Sequence, residues 1–299
     1  MPVSINHALL TDLYQLTMAQ GYLECGKGQT QACFHMSFRD YPFKGGYAIA
    51  SGMAHLADLV EGFRFSDEDL AYLASVPAPG GGALFKQSFL DYLRDFRLSV
   101  DIDAVREGTA VFPNEPIVRV VGPIMECQML ETALLNCVSF ETLIATKAAR
   151  ICLAAQAPVA EFGLRRAQGP AGGVWASRAA VVGGCASTSN VMAGKLFGIP
   201  VSGTHAHSWV MAFPDELTAF RAYAEQFPKN CVLLVDTYDV ERGIDNAITV
   251  GLEMRERGER LTGIRIDSGD LAWLAKMARR KLDAAGLEDC GIVLSNDLD

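Results

Sequence analysis

Five short apolar runs in the second half of the chain constrain the fold most: PVAEFGLRR (158–166), GIPVSGTHAHS (198–208), NCVLLVDTYD (230–239), LTGIRIDSGD (261–270) and CGIVLSND (290–297). Each ends in small, polar or charged residues, and stretches such as DELTAFRAYAEQF and SGDLAWLAKMARRKLDAAG between them carry helical periodicity. Buried strands that alternate with helices predict βα units and a parallel sheet, open or closed into a barrel. Chemistry in such folds collects where strands end. Those ends here carry Phe162, Arg165, His207, Asp236, Asp239, Arg265, Asp267 and Asp297. An eight-stranded barrel takes about 250 residues. Only five or six units are countable here, the last, IVLSNDLD, without a following helix. The expectation is an α/β, irregular TIM-like barrel, incomplete at the C-terminus of a truncated chain.

The first part of the chain has a different texture. Residues 8–24 place apolar side chains at helical spacings and meet a stop at Gly26. Residues 31–52 read as strand, Pro/Gly turn and strand; 77–82 (PAPGGG) is a loop; 98–121 holds strand-like runs ending in IVRVVG. Residues 1–125 therefore predict an N-terminal α+β domain, and 126–299 the barrel domain. Residues 126–156 read as helical, as two helices meeting near Ser139.

With 299 residues, half of them apolar, the chain is long enough for a well-buried core. No apolar run approaches the roughly 18 residues of a membrane span, and Asn6, His7 and Asp12 interrupt the start where a signal peptide would be apolar. A soluble, cytoplasmic protein is expected. Eight scattered cysteines without a Cys-x-x-Cys pair fit reduced core thiols. The net charge of −9, with no basic block, argues against a nucleic-acid partner. An anionic small molecule remains compatible, because a pocket needs only a few Arg and Lys.

GTHAHSWVM admits three readings: two hydrogen-bonded structural histidines, a zinc site on His205 and His207, or a histidine nucleophile or acid–base group. Zinc would need further ligands, and no histidine follows position 207. DTYD, DSGD and SNDLD place carboxylates after successive strands, where Mg²⁺ or sugar hydroxyls are suitable ligands. Ser268 and Asp270 also fit a helix cap. There is no P-loop and no G-x-G-x-x-G after a strand.

Taken together, LLTDLYQLTMAQGY, FRDYPFKGGYAIASG, EFGLRRAQGP, STSNVMAG, GTHAHSWVMAF, LLVDTYDV with NAI, GIRIDSGDL and SNDLD resemble, in order, the nicotinate phosphoribosyltransferase family of type II phosphoribosyltransferases. The resemblance implies an ATP-coupled enzyme of NAD salvage. It would join nicotinate to 5-phosphoribosyl 1-diphosphate, with Mg²⁺, in active sites shared across a homodimer. It implies that His207 is phosphorylated by ATP, and leaves His205 without a role. Phe162 and Tyr14 would sandwich the pyridine ring, Tyr14 and Asp12 coming from the partner subunit. Arg165 would hold a carboxylate or phosphate; Arg265 and Asp267 would handle ribose, diphosphate and Mg²⁺, with Asp267 the metal ligand and Asp297 a second ribose-side acid. Thr204 and Ser208 would position the acceptor. Ser189, where the nicotinamide-specific relative carries an acid, favours a substrate bearing its own negative charge. An inactive fragment and a nicotinamide-specific relative stand as alternatives, with a metal-dependent hydrolase as a third.

Overall fold

The computed structural model describes residues 8–296 and 298. The chain divides into two compact units, Met1–Val201 and Ser202–Asp299. The boundary expected at 125/126 coincides with the start of a long helix instead of this division. That helix packs on elements from both sides of residue 125, which keeps residues up to 201 in one body.

The first unit begins with α1 (Leu13–Glu24), ended by Cys25 and by Gly26 at φ +68°. β1 (Gln31–Met36), a 3-10 turn at Pro42–Lys44 and β2 (Ala48–Ile49) follow. The two strands do not pair with each other. β2 pairs with β4 (Ala110–Val111), and β1 lies antiparallel on β5 (Val118–Pro123), whose other edge takes β3 (Asp101–Ala104). Between β2 and β3 come α2 (Met53–Glu61), α3 (Asp67–Ser75) and α4 (Gln87–Arg94). A Cβ at Gly52, just before α2, would lie 2.9 Å from the Cα of Val138, so only glycine allows this approach. Leu59, Phe89, Leu93, Met125 and Leu130 are among the buried side chains of this α+β core.

α5 (Ile124–Ala155) is one continuous 32-residue helix, where two were expected. Ser139 is exposed within it, and no Gly or Pro interrupts the segment. β6 (Ala160–Glu161), α6 (Gly169–Val182), β7 (Ser187–Thr188) and α7 (Val191–Phe197) complete the unit. β6 and β7 are parallel, and Thr188 forms a single parallel bridge to Val201, all that the run GIPVSG contributes as strand.

The second unit is the βα repeat read in the sequence. It runs α8 (His207–Met211), α9 (Glu216–Gln226), β8 (Val232–Leu234), α10 (Val240–Glu256), β9 (Gly263–Ile266), α11 (Leu271–Ala284) and β10 (Gly291–Leu294). β9 is central, parallel to β8 and β10, so the three carboxyl ends point the same way. Leu233, Val235, Ile264 and Ile266 are buried with Ile244, Val250, Leu274 and Leu282 of the helices. A Cβ at Gly243 would sit 1.9 Å from the Val235 carbonyl oxygen; this glycine lets α10 close on β8. The parallel strands form two separate small sheets, and no closed barrel is present among the described residues.

Candidate active site

The polar residues at the ends of β8, β9 and β10 form one hydrogen-bonded cluster. Arg265, on β9, donates from Nε to Ser295 Oγ (2.7 Å), from Nη1 to Thr204 Oγ1 (3.1 Å) and from Nη2 to Asp267 Oδ1 (2.8 Å). Ser295, just past β10, also donates to Asp267 Oδ1. Burial works to raise the Asp267 carboxyl; the bonds from Ser295 and Arg265, with the charges of Arg265 and His207, outweigh it and hold the group below the usual carboxylate range. Asp267 is thus ionised at neutral pH, and its Oδ2 lies 3.7 Å from His207 Nε2.

His207 opens α8 with its side chain 41% exposed. Its Nδ1 is 3.1 Å from the Thr237 hydroxyl, which fixes the ring plane. Asp236, at the end of β8, receives the Asp267 amide N–H (2.9 Å) and the Ser268 hydroxyl on Oδ2, while its buried Oδ1 accepts no hydrogen bond. Asp239 and Asp270 cap α10 and α11 through the amides of Arg242 (2.8 Å) and Trp273 (3.0 Å). The cap reading therefore holds for Asp270, whereas Ser268 binds Asp236.

The two histidines of GTHAHS divide their roles. His205 is buried, and its Nε2 accepts the Leu234 amide N–H at 3.1 Å, so that nitrogen carries no proton and has no lone pair for a metal. Nδ1 faces the Ala206 carbonyl at 3.3 Å, and Tyr223 packs edge-on at 4.7 Å. Burial lowers its pKa, against the Ala206 bond; the charges of Arg265 and His207 push the same way as burial. It pins the loop to β8, as a structural histidine. Among the described residues no cluster of three metal-ligating groups exists.

In the first unit, Glu161 at the end of β6 organises a second set of strand ends. Its Oε2 accepts from Thr188 Oγ1 (2.6 Å), its Oε1 from the Gly163 amide, and its carbonyl from the Ser189 amide (2.9 Å). Asn190 caps α7 through Met192 and Ala193 and donates to Ser177 Oγ at 3.1 Å. Phe162 is half-buried and Arg165 exposed on a 3-10 turn. A cavity of about 220 Å³ opens beside this turn, lined by Phe140, Ile144, Leu164, Arg166 and Gly173. Tyr14 and Asp12 stand at the start of α1, bonded to Gln15 (2.9 Å) and Thr132 (3.0 Å), and these bonds do not reach Phe162, Arg165 or Ser189.

The structure thus joins Thr204, His207, Arg265 and Asp267. Ser208 is exposed, without a side-chain hydrogen bond among the described residues, and Asp297 lies outside them. Thr237 and Ser295 were not singled out from sequence; their only signal is their place inside DTYD and LSND.

The family model for the nicotinate phosphoribosyltransferase (NAPRTase) N-terminal domain matches residues 9–139, and that for the nicotinate phosphoribosyltransferase (NAPRTase) family matches 158–292. The crystal structure of human nicotinic acid phosphoribosyltransferase superposes with a TM-score of 0.88 at 38% identity, covering 97% of this chain and 68% of that one. The chain belongs to the nicotinate phosphoribosyltransferase family. Nicotinate phosphoribosyltransferase of Bacillus subtilis (strain 168) is 48% identical over 296 residues, covering 98% of this chain and 58% of the relative. The human curated relative is 38% identical, with 97% and 64% covered. The chain therefore spans about three-fifths of the length of the curated relatives it matches. A nicotinate-nucleotide pyrophosphorylase from Pyrococcus furiosus, 23% identical with a TM-score of 0.79, shares the fold.

Proposed function

We propose that this chain carries the site of a nicotinate phosphoribosyltransferase, forming nicotinate mononucleotide and diphosphate from nicotinate and 5-phosphoribosyl 1-diphosphate, with ATP hydrolysis coupled through His207. The observation that carries the reading is the Arg265–Asp267–His207 constellation, at the carboxyl end of β9 and the head of α8, in a chain of this family. His207 is partly exposed, and Asp236 Oδ1 next to Asp267 has no hydrogen-bond partner among the described residues, so the cluster retains room and an acceptor for a ligand.

In the phosphoryl step, an imidazole nitrogen of His207 attacks the γ-phosphorus of ATP. The bond to the ADP oxygen breaks and the imidazole proton departs. Asp267, 3.7 Å from Nε2, stabilises the cationic ring that forms on the way. Thr237 holds the ring plane for in-line approach. In the transfer step, the pyridine nitrogen attacks ribose C1 as the C1–O bond to diphosphate breaks and diphosphate takes the electron pair. Asp267 and Asp236 face the positive character that develops on C1, and Arg265, tied at three points, keeps Asp267 in place.

Mg²⁺ fits this donor set: Asp267 Oδ2 accepts no short hydrogen bond, Asp236 Oδ1 accepts none, and magnesium characteristically takes one or two carboxylates with phosphate oxygens and water. Bound there, it would neutralise the leaving diphosphate. Asp297 would be a further ribose-side acid, and Thr204 and Ser208 would flank the acceptor.

Phe162 and Tyr14 would stack on the ring and Arg165 hold the carboxylate, with Tyr14 and Asp12 supplied by the partner in a cytoplasmic homodimer. Neutral Ser189 suits nicotinate over nicotinamide, since a second acid would repel a carboxylate.

The test is product formation. The purified chain is incubated with nicotinate or nicotinamide, 5-phosphoribosyl 1-diphosphate, Mg²⁺ and ATP, and the mononucleotide is separated by chromatography. Nicotinate mononucleotide alone is expected, with ATP consumption lost in His207→Ala. Product from nicotinamide alone would replace nicotinate as substrate, and no product from either would overturn the reading for this chain.

A further inference from the structure

Two of the eight cysteines meet in a part of the first unit that the proposed reaction does not use. Cys152 lies on the last turn of α5 and Cys185 on the link from α6 to β7, with their sulfurs 3.9 Å apart in a small apolar cluster with Ala148 and Ala180. Gly184, next to Cys185, sits at φ +111°, a backbone conformation that L side chains rarely adopt. Cys152 is half-buried and Cys185 buried, so a small oxidant reaches the first before the second. The chain just past Cys152 is exposed, with Leu153 at 73% and Gln156 at a positive φ of 51°, so this end of the helix has room to yield.

We propose that Cys152 and Cys185 are a redox modification site, a dithiol that closes to a reversible intrachain disulfide on exchange with a low-molecular-weight disulfide. In the first step the Cys152 thiolate attacks one sulfur of the oxidant, its S–S bond breaks, and one small thiol leaves. Cys185 then loses its proton and attacks the Cys152 sulfur of the mixed disulfide, releasing the second small thiol. The protein pair is oxidised by two electrons and the oxidant reduced by two. A disulfide spans about 2.05 Å, so the sulfurs must close by about 1.9 Å, a movement the yielding end of α5 supplies. Burial, then the neighbouring Cys152 and Glu161, push the Cys185 thiol up to about 12, which makes the second step slow. Closure ties the end of α5 to the segment leading into β7, where Ala186 bonds Val159 and Ser189 bonds Glu161.

The test is exchange of the native chain with oxidised glutathione over hours, followed by intact mass and a non-reducing digest. Apart from glutathione carried by exposed Cys25 and Cys33, the wild-type chain should lose two hydrogens in mass and yield a peptide linked between Cys152 and Cys185, both reversed by dithiothreitol. Cys185→Ser should instead stop at a glutathione adduct on Cys152, and Cys152→Ser should give neither link nor adduct at Cys185. Amide exchange across 184–190 should slow in the linked form. A stable glutathione adduct on wild-type Cys152, or an unmodified pair while exposed Cys25 and Cys33 react, would overturn the proposal.

Discussion

In the first unit, Glu107, Glu141, Arg178 and His55 form a mostly buried network; in the second, Arg265, Asp267 and Asp236 stand at the ends of parallel strands with His207 at the head of α8. The residue types nearly coincide, and the difference lies in how far each group is satisfied. Glu107 takes both Arg178 terminal nitrogens (2.9 and 2.6 Å) and the amides of Gly52 and Met53 at the head of α2. Glu141, wholly buried, meets His55 Nδ1 at 3.0 Å and Arg178 at 3.5 Å, and His55 stacks on Trp175 with centroids 3.8 Å apart. Arg178 also lies over the ring of Phe197. Each charge there has a partner, and the network holds α2, α5, α6 and α7 in register. At the strand ends, Asp236 Oδ1 has no partner and the His207 side chain is 41% exposed. A fully satisfied cluster serves the fold; one left short of partners is built to receive them from a ligand.

Substitutions should separate the two sharply. Arg178→Ala would leave Glu141 buried and short of a cation, at a cost of roughly 3–5 kcal/mol in unfolding free energy, read from urea denaturation. Asp267→Asn should do the reverse: the urea midpoint hardly moves, while nicotinate mononucleotide formation falls by about a hundredfold or more in steady-state assays. If Asp267→Asn unfolded the chain, or Arg178→Ala left its stability intact, the division between the clusters would be wrong.

A smaller effect tests the strand ends of the first unit. Asn190→Ala removes the cap of α7 and the bond to Ser177, and should cost roughly 1–2 kcal/mol on the same denaturation curve. The smallest effect is in pH. Burial works to raise Glu107, but Arg178 and the two amides hold it below its ordinary value. A depressed carboxyl contributes stability that is present above its unfolded pKa and lost as pH falls through the folded value. Urea midpoints of the wild-type chain should therefore drop more between pH 6 and acid than those of Glu107→Gln; parallel slopes would contradict the pairing.

The strand-end architecture was legible because its signals are local. Apolar runs closed by DTYD and DSGD gave β8 and β9 with their acids and helix caps, and His207 came from the order of motifs. What was missed depends on groups far apart in sequence. His205 has its role from an amide 29 residues away, and Glu107 finds Arg178 71 residues on; no periodicity reports either bond. Ser139 looked like a break, yet an exposed serine within a helix costs only a few tenths of a kcal/mol, roughly, and α5 runs through it. β6 falls inside the run PVAEFGLRR, but β7, two residues long, has no run of its own and is held by backbone pairing and by the Glu161–Thr188 bond, which propensity does not see.

The central claim is that His207 is a phosphoryl acceptor beside a carboxylate that serves catalysis. The most direct measurement is transfer of label from γ-phosphate-labelled ATP to the chain, with the modified residue located by mass spectrometry at neutral or alkaline pH. The account predicts an acid-labile, base-stable phosphate on His207, absent in His207→Ala and discharged by nicotinate with 5-phosphoribosyl 1-diphosphate. Label on another residue, or no label while nicotinate mononucleotide is made with ATP consumed, would contradict it.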